Sequence, residues 1–345
     1  MISACIITRD EADLLDRCLK SLAKYPLEIV VVDTGSADNS VEIAHRYTDK
    51  VFSFKWCRDF SAARNYAAQK ASNDYILMVD TDEVLVWADF DKLITNPEQT
   101  GAFERVNIFT RSGEKQVITE YISRLYDRRI FTYEGKIHEQ LVKKDGSSYK
   151  IYEIPLRFEH SGYDGSADKV SRKADRNIEL LLEEYNSNPH DTYILYQLGK
   201  ACYMKRDYEN AFFYFDKATY EDVDERLEYV VDLIVSYGYS MINTGRANMA
   251  LGLEGLEAQF GKRAEFLFMM GLVYMNNTMF EQAVDSFLKA TKIPECSVMG
   301  ANSYMAFYNA GVVKECLGYI DEAKAFYRKC GNYDKAVKRL EMLEA

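Results

Sequence analysis

The sequence predicts a chain of two parts, an α/β domain with a mostly parallel sheet followed by an all-α domain of helical repeats. Strand and helix signals alternate over the first 160 residues, and helical signals dominate from about residue 164 onward. The length of 345 residues fits about two domains. The chain has only 18 glycines and 5 prolines, so few residues interrupt its helices.

Four short apolar runs predict the strands of the first domain, at residues 3–7, 28–32, 51–54 and 75–79. Segments that are rich in alanine or have apolar residues at helical spacing predict helices between them, at residues 11–22, 38–47 and 61–71. The run EIVVV at residues 28–32 is typical of a strand that is covered on both faces. This β-α-β order predicts a doubly wound sheet, whereas residues 101–160 carry strand-like runs with irregular loops.

A glycine followed twelve residues later by an alanine recurs four times in the second half of the chain. These pairs are Gly199/Ala211, Gly238/Ala250, Gly271/Ala283 and Gly311/Ala323. An aromatic residue stands sixteen positions after each glycine except the second, where Glu254 replaces it. Small residues at these offsets let two helices pack closely, and the pattern resembles the tetratricopeptide repeat. It predicts a first domain at residues 1–163, a connecting helix at 164–189 and repeats at 190–345.

Composition and charge exclude several classes of function. The 43 Lys and Arg residues are outnumbered by 54 Asp and Glu residues, and the net charge of −11 disfavours a nucleic-acid partner. No apolar stretch approaches the length of a membrane span, and the first residues lack the basic segment of a signal peptide. The seven cysteines include no CxxC pair, which indicates reduced thiols in a cytoplasmic protein.

Acidic residues follow three of the predicted strands, in TRDE at 8–11, DTGS at 33–36 and DTDE at 80–83. Ligands of doubly wound sheets bind outside the carboxyl ends of the strands, so these segments predict a site. Gathered carboxylates are unfavourable unless a metal ion or a hydroxyl-rich ligand lies among them. The sequence contains neither GxGxxG nor GxxxxGK[ST], so the dinucleotide fingerprint and the P-loop are both absent.

Four segments in the order TRDEADLLDRCLKSL, EIVVVDTGSADNS, DFSAARNYAAQKA and DYILMVDTDE carry a family resemblance. Through them, residues 1–160 resemble the family 2 glycosyltransferases, which have the GT-A fold. With GKIHEQL, FEHSGY and the repeats, the whole chain is similar to repeat-bearing bacterial glycosyltransferases. That group includes the peptide S-glycosyltransferases of the sublancin transferase type. The resemblance is weakest between residues 84 and 120.

The resemblance implies a divalent metal ion at the DTD segment. Asp82 corresponds to the metal ligand of the Asp-x-Asp motif, and its carboxylate oxygen suits Mg²⁺ or Mn²⁺. Many GT-A enzymes draw a further ligand from a histidine late in the domain, and His160 in EHSGY is the candidate. The alternatives are an ordinary loop acid for Asp82 and a core or surface histidine for His160.

The resemblance also assigns five residues to a nucleotide-sugar donor, most often a UDP-sugar: Thr8, Glu11, Asp33, Arg64 and Asp80. Asp33 corresponds to the residue that binds the base, and Asp80 to the residue nearest the ribose. Thr8 and Glu11 line the base and ribose, and the Arg64 fork suits phosphate. The alternatives are a turn cap for Asp33, a loop acid for Asp80 and a structural role for Arg64.

An inverting transfer needs a general base to take the acceptor proton. The Glu-Asp pair that commonly supplies this base in family 2 is absent here, so three candidates stay open. We favour Glu139 in IHEQL, followed by Asp127 in LYDRR and then His138.

Residues 101–150 hold 10 basic and 7 acidic side chains, unlike the acidic remainder of the first domain. The basic run could bind diphosphate or an anionic acceptor, or it could be a solvated face. It comprises Arg124, Arg128, Arg129 and Lys136.

These features together predict a metal-dependent, inverting glycosyltransferase that moves a sugar from a nucleotide sugar to an acceptor hydroxyl or thiol. The acceptor could be a peptide or protein held by the repeats, because superhelical repeats form concave binding surfaces. The repeats could instead mediate homo-oligomerisation. Two alternatives stay open: an interaction module with an inactive nucleotide-binding domain, and a transferase acting on cell-surface saccharide precursors.

Overall fold

The computed structural model describes residues 1–111, 114–160, 167–221, 223 and 227–344, and it describes side chains outside 108–118, 161–174 and 228. It divides the chain into two compact units, Met1–Leu180 and Leu181–Ala345. The division falls within helix α4 (Ala167–Ser187), which lies where the connecting helix is predicted. The predicted boundary at residue 163 and the last residues of FEHSGY lie outside the described residues.

The first unit has ten strands among its described residues. Their bounds are β1 Ile2–Thr8, β2 Leu27–Asp33, β3 Val51–Ser53, β4 Tyr75–Val79, β5 Glu83–Ala88, β6 Gln99–Arg111, β7 Glu114–Asp127, β8 Phe131–Glu134, β9 Gln140–Lys143 and β10 Lys150–His160. Eight of them form one sheet in the order β3-β2-β1-β4-β7-β6-β10-β5, while β8 and β9 pair separately. Four of the seven neighbouring pairs in this described sheet are parallel, so the predicted mostly parallel sheet is confirmed.

Three helices connect the parallel strands: α1 Ala12–Leu22, α2 Ser40–Ala44 and α3 Phe60–Lys70. Helix α2 is shorter than the helix predicted over residues 38–47, because Asp38 instead folds the chain into a turn by accepting from Ser40 N at 2.9 Å. The Asp59 side chain caps α3 by accepting from Ala62 N at 2.8 Å.

The central strands are buried on both faces, as the EIVVV run predicts. In β2, Val31 packs with Leu15 and Leu19 of α1, whereas Val30 and Val32 pack on the α3 side of the sheet. Strand β1 has β2 on one side and β4 on the other, so the chain changes direction across the sheet at this point. Such a switch leaves a crevice at the carboxyl ends of β1 and β4.

The second unit contains the helical repeats. After α4 come α5 Thr192–Met204, α6 Tyr208–Thr219, α7 Glu228–Asn243, α8 Ala247–Ala250, α9 Glu257–Phe260, α10 Ala264–Asn276, α11 Phe280–Ala290, α12 Tyr304–Cys316, α13 Ile320–Arg328 and α14 Asp334–Glu344. A 3₁₀ turn over Leu251–Leu256 joins α8 to α9, which accounts for the departure of the second repeat from the pattern.

The repeat glycines lie where aromatic rings press against the backbone. The ring of Phe287 would lie 2.5 Å from a Cβ atom added to Gly271, and the ring of Tyr327 would lie 2.7 Å from one added to Gly311. Phe215 approaches Gly199 in the same way. These contacts explain the spacing of sixteen residues that the sequence shows, and the predicted helical-repeat domain is confirmed.

Candidate active site

The carboxyl ends of β1, β2 and β4 bring Thr8, Asp33 and Asp80 to one edge of the sheet. Thr8 is the register partner of Asp33, and Ile6 is the partner of Val79, directly before Asp80. Thr34 N donates to Thr8 O at 2.9 Å, which joins the first two loops. Parallel strands therefore produce the clustering of acids that the sequence predicts.

Two arginines hold the carboxylate of Asp80. Arg64 Nη2 donates to Asp80 Oδ1 at 2.8 Å, and Arg124 Nη2 donates to Asp80 Oδ2 at 2.9 Å. Burial alone would raise the pKa of Asp80, but the charges of Arg124 and Arg64 outweigh it and hold this pKa well below its usual range. Asp80 is therefore an ionised anchor at the start of the DTD segment.

Glu139 lies beside the same pair. Arg64 Nε donates to Glu139 Oε1, and the guanidinium of Arg64 lies 5.7 Å from the centre of the Tyr133 ring. Arg64 is only 5% exposed, yet its Nη1 has no hydrogen-bond partner within the described part of the chain. A buried guanidinium N–H without a partner is suited to donate a hydrogen bond to an anionic oxygen of a ligand.

His138 precedes Glu139 and has a φ of 52°, which is unusual for a residue other than glycine. Such conformations cluster at functional sites. Surrounding protein lowers the pKa of His138, and the charge of Glu139 opposes this effect. The structure thus brings Glu139 to the site, and His138 lies next to it in the chain.

The loops that follow β1 and β2 differ in whether their polar side chains have hydrogen-bond partners. Asp33 accepts from Gly35 N and Ser36 N at 3.1 Å each, so it caps the following turn as the alternative interpretation predicts. The hydroxyl of Thr8 is buried and has no partner among the described residues. Glu11 accepts a hydrogen bond from Thr81 Oγ1 and thereby connects the first loop to the DTD segment.

Asp82 and His160 are neighbours, with Nε2 of the ring 3.2 Å from Asp82 Oδ2. His160 is at the end of β10, whose antiparallel pairing with β5 places it opposite Glu83. Among the residues that the structure describes, no three His, Cys, Asp or Glu side chains form a metal-binding group. Two protein ligands suit Mg²⁺ or Mn²⁺ when substrate phosphates supply others.

Glu83 is the third acid of the DTDE segment, and its side chain is fully buried. It accepts from Asp80 N at 3.0 Å and lies 3.3 Å from Arg105 Nη1. Burial and the charge of Asp80 raise the pKa of Glu83 to about 7.

Asp127 does not reach this site, and its proposed role as a base is corrected. It pairs with Tyr75 at the beginning of β4, whereas Asp80 follows the end of β4. Asp127 is bound by Arg129, whose Nη2 donates at 2.6 Å. Arg128 donates to backbone oxygens near the same end of the sheet, so Arg124 alone of these neighbouring arginines meets Asp80 among the described contacts.

Several residues at the site are not predicted individually by the sequence. Arg105, Asn107 and Glu120 come from β6 and β7. Arg176 of α4 places its guanidinium 5.2 Å from the centre of the Phe60 ring, and burial lowers the pKa of Arg176 while the charge of Glu11 opposes this. Arg105 and Glu120 face each other across β6 and β7, and this pairing could be inferred only once the register of the two strands is known.

Two family models match separate parts of the chain. Residues 3–152 match glycosyl transferase family 2, and residues 264–295 and 306–336 match the tetratricopeptide repeat. The chain carries a family 2 glycosyl transferase domain and tetratricopeptide repeats. The family 2 match ends before His160, so the role expected for His160 is supported by its position in the structure and by the sequence resemblance, not by this match.

Relatives of the glycosyl transferase and repeat regions are found in bacteria. A TPR repeat-containing protein of Synechococcus elongatus is 32% identical over 221 residues, which cover 61% of this chain and 54% of that protein. The SPbeta prophage-derived glycosyltransferase SunS of Bacillus subtilis is 25% identical over 271 residues, which cover 75% of this chain and 63% of SunS. The chain thus spans somewhat more than half the length of these relatives.

A solved structure is similar to part of the chain. YrrB, described as a TPR protein with an unusual peptide-binding site, aligns with a TM-score of 0.42 and 18% identity. The alignment covers 50% of this chain and 86% of YrrB. No helix among the described residues is long and apolar enough to cross a membrane.

Proposed function

We propose that the glycosyl transferase domain transfers a sugar from a UDP-sugar to an acceptor hydroxyl or thiol with inversion at the anomeric carbon. The observation that carries this proposal is the pairing of Asp82 with His160 directly after an Asp80 that two arginines keep ionised. The match of residues 3–152 to glycosyl transferase family 2 supports it.

Asp82 Oδ2 and His160 Nε2 would hold a Mg²⁺ or Mn²⁺ ion. Their chemistry fits, because a carboxylate and an imidazole at 3.2 Å leave positions for diphosphate oxygens and water. When bound, the ion supplies charge stabilisation for the departing nucleoside diphosphate. Arg64 Nη1, which meets no hydrogen-bond partner in the part of the chain that the structure describes, would donate to an oxygen of the diphosphate.

The nucleoside would occupy the edge formed by the first two loops. The hydroxyl of Thr8, which has no partner among the described residues, supports this placement, because a buried hydroxyl without a partner is unfavourable until a ligand supplies one. Asp33 can accept further hydrogen bonds from a base, since each carboxylate oxygen has more than one lone pair. Asp80 and Glu11 would face the ribose.

The acceptor loses its proton to a base as its oxygen or sulfur bonds to the anomeric carbon and the bond to the diphosphate oxygen breaks. Glu139 is our first candidate because it lies within the Arg64 and Asp80 cluster, and His138 is the second. A thiol acceptor would need less help, because its pKa is about 8.5.

The tetratricopeptide repeats would bind a peptide or protein acceptor. Their surface includes several tyrosines, such as the cluster of Tyr193, Tyr196 and Tyr229 with ring centres 5.2–6.1 Å apart. Tyrosine provides apolar contact and a hydroxyl donor together, which suits peptide recognition. Self-association through the repeats is the competing role.

The decisive experiment is a thermal-shift panel of nucleotide sugars with and without Mn²⁺, followed by donor hydrolysis with the stabilising compound. Asp82→Asn should abolish the Mn²⁺-dependent shift and lower hydrolysis at least 100-fold, because it removes a charged ligand. Asp49→Asn is the control, since Asp49 is an exposed acid far along the chain from the DTD segment. Full hydrolysis by Asp82→Asn, or in excess chelator, would refute the metal assignment. Absence of any nucleotide-sugar response would favour an inactive interaction module.

A further inference from the structure

Asn107 lies behind His160 in the sheet. It is the register partner of His160 in the parallel pair of β6 and β10, and it is only 6% exposed. Its Nδ2 donates to Glu120 Oε1 at 2.5 Å, and its Oδ1 is 2.7 Å from His160 Nδ1. The side chain therefore bridges a carboxylate on one side and the imidazole on the other.

The chemistry of Glu120 fixes which way the amide faces. Burial would raise the pKa of Glu120, but the hydrogen bond from Asn107 and the charge of Arg105 lower it, so this carboxylate is ionised and can only accept. Arg105 donates to the same Oε1 from Nε at 3.1 Å and from Nη2 at 2.9 Å. The NH₂ group of Asn107 must consequently face Glu120.

With the amide fixed, the tautomer of His160 follows. The oxygen of Asn107 faces Nδ1, so Nδ1 must carry a hydrogen and donate it. In the neutral form of this ring, the lone pair then lies on Nε2, the nitrogen that faces Asp82 at 3.2 Å. A lone pair in that position is what a metal ion beside Asp82 would require.

The same contacts belong to a network of hydrogen bonds and ion pairs around the DTDE segment. Arg105 also lies 3.3 Å from Glu83 Oε1, and Glu83 accepts from Asp80 N at 3.0 Å. The network extends from Asp80 to Glu83 of β5, continues through side chains of β6 and β7, and reaches Asp82 through His160 of β10. Hydrogen bonds and an ion pair thus connect the ring of His160 to both ends of the DTDE segment.

We propose that Asn107 and Glu120 are positioning residues that fix His160 in the tautomer needed to bind a divalent metal ion through Nε2. The proposal rests on the metal site of the proposed function. Loss of such partners of a metal ligand typically weakens metal affinity about 10-fold to 100-fold. Neither residue needs to touch the metal or the donor for this effect.

Two measurements on the full chain test the proposal. The first is the affinity for Mn²⁺ in the presence of UDP, obtained by calorimetric titration. The second is the ¹⁵N spectrum of His160 in the metal-free protein, because ¹⁵N shifts distinguish a protonated ring nitrogen from one with a lone pair and a bound ion would itself fix the tautomer. The chain has four histidines, so His160→Ala assigns the signal.

Asn107→Ala and Glu120→Ala should each weaken Mn²⁺ binding about 10-fold or more and leave a mixture of His160 tautomers. Glu120→Gln should retain both properties, because all three donors bind Oε1, which glutamine preserves. Asn73→Ala is the fold control, since the Asn73 side chain also makes hydrogen bonds to two strands, from Nδ2 to Ser3 Oγ at 3.1 Å and to Glu28 Oε2 at 3.5 Å, at the other end of the sheet. Unchanged affinity and a single tautomer in folded Asn107→Ala would overturn the proposal. If the wild type itself does not bind Mn²⁺ with UDP, the proposed metal site fails instead.

Discussion

Glu83 makes the stability of the first unit depend on pH, and Glu83→Gln tests this directly. The folded pKa of about 7 lies above the ordinary value of 4.5 because the side chain is buried and faces the charge of Asp80. The folded state therefore holds the Glu83 proton more tightly than the unfolded state does. This contribution stabilises the protein at low pH and is lost as pH rises from about 4.5 to 7.

The size of the effect follows from the shift. At about 1.36 kcal/mol per pKa unit, the shift from 4.5 to about 7 corresponds to about 3 kcal/mol, of which about 2.5 kcal/mol falls between pH 5 and pH 8. The lowered pKa of Asp80 acts below this window and does not interfere. Glutamine cannot ionise, so the variant should lack this loss and become more stable relative to wild type as pH rises.

Urea unfolding at pH 5, 6, 7 and 8, followed by tryptophan fluorescence, measures the effect. Both tryptophans, Trp56 and Trp87, belong to the first unit and report its unfolding separately from the repeats. Taking the difference between wild type and Glu83→Gln cancels the pH dependence that the two proteins share. A difference that stays constant within about 0.5 kcal/mol across this range would refute the argument from burial and charge, because about 2.5 kcal/mol is expected.

Two further substitutions test the nucleotide edge and the repeats. Thr8→Val should raise the free energy of unfolding by about 1 kcal/mol, because it removes a buried hydroxyl that has no partner in the described part of the chain, and it should weaken UDP binding in a titration. Gly271→Ala should lower the stability of the repeats by about 1–3 kcal/mol in thermal unfolding, because its Cβ would meet Phe287 at 2.5 Å. Gly252→Ala is the control for the second change, since no atom lies within 4 Å of its added Cβ. Equal effects of the two alanines, or stronger UDP binding by Thr8→Val, would contradict these explanations.

The strand ends of the parallel half were predictable from sequence because their geometry is local. A buried apolar run ending in an acid identifies Asp33 or Asp80 without knowledge of the rest of the chain, and parallel strands then collect such ends at one edge. The repeats were predictable for a similar reason, since small residues and an aromatic recur at fixed offsets. The resemblance to a family supplied the roles that geometry alone leaves open.

The antiparallel half was less accessible because its contacts depend on strand direction and register. The prediction for Asp127 was wrong because β7 runs antiparallel to β4, which takes its last residues to the far edge of the sheet. The bridge from Glu120 through Asn107 to His160 joins the consecutive strands β7 and β6 to β10, which comes later in the chain and pairs with β6 in parallel. No periodic pattern in residues 101–160 determines how those strands align, so the bridge was not predictable.

Gly238 has a different neighbour from the other repeat glycines, and this difference bears on folding cooperativity. Its space is occupied by the side chain of Met269 from α10, not by an aromatic residue of its own repeat. In a linear array of repeats, stability depends on each unit and on its interface with the next. Because a side chain of the third repeat fills the space beside Gly238 in the second, α7 and α10 should unfold and refold together as one cooperative segment. The four repeats are therefore not interchangeable, and we expect the second and third to unfold as a single unit.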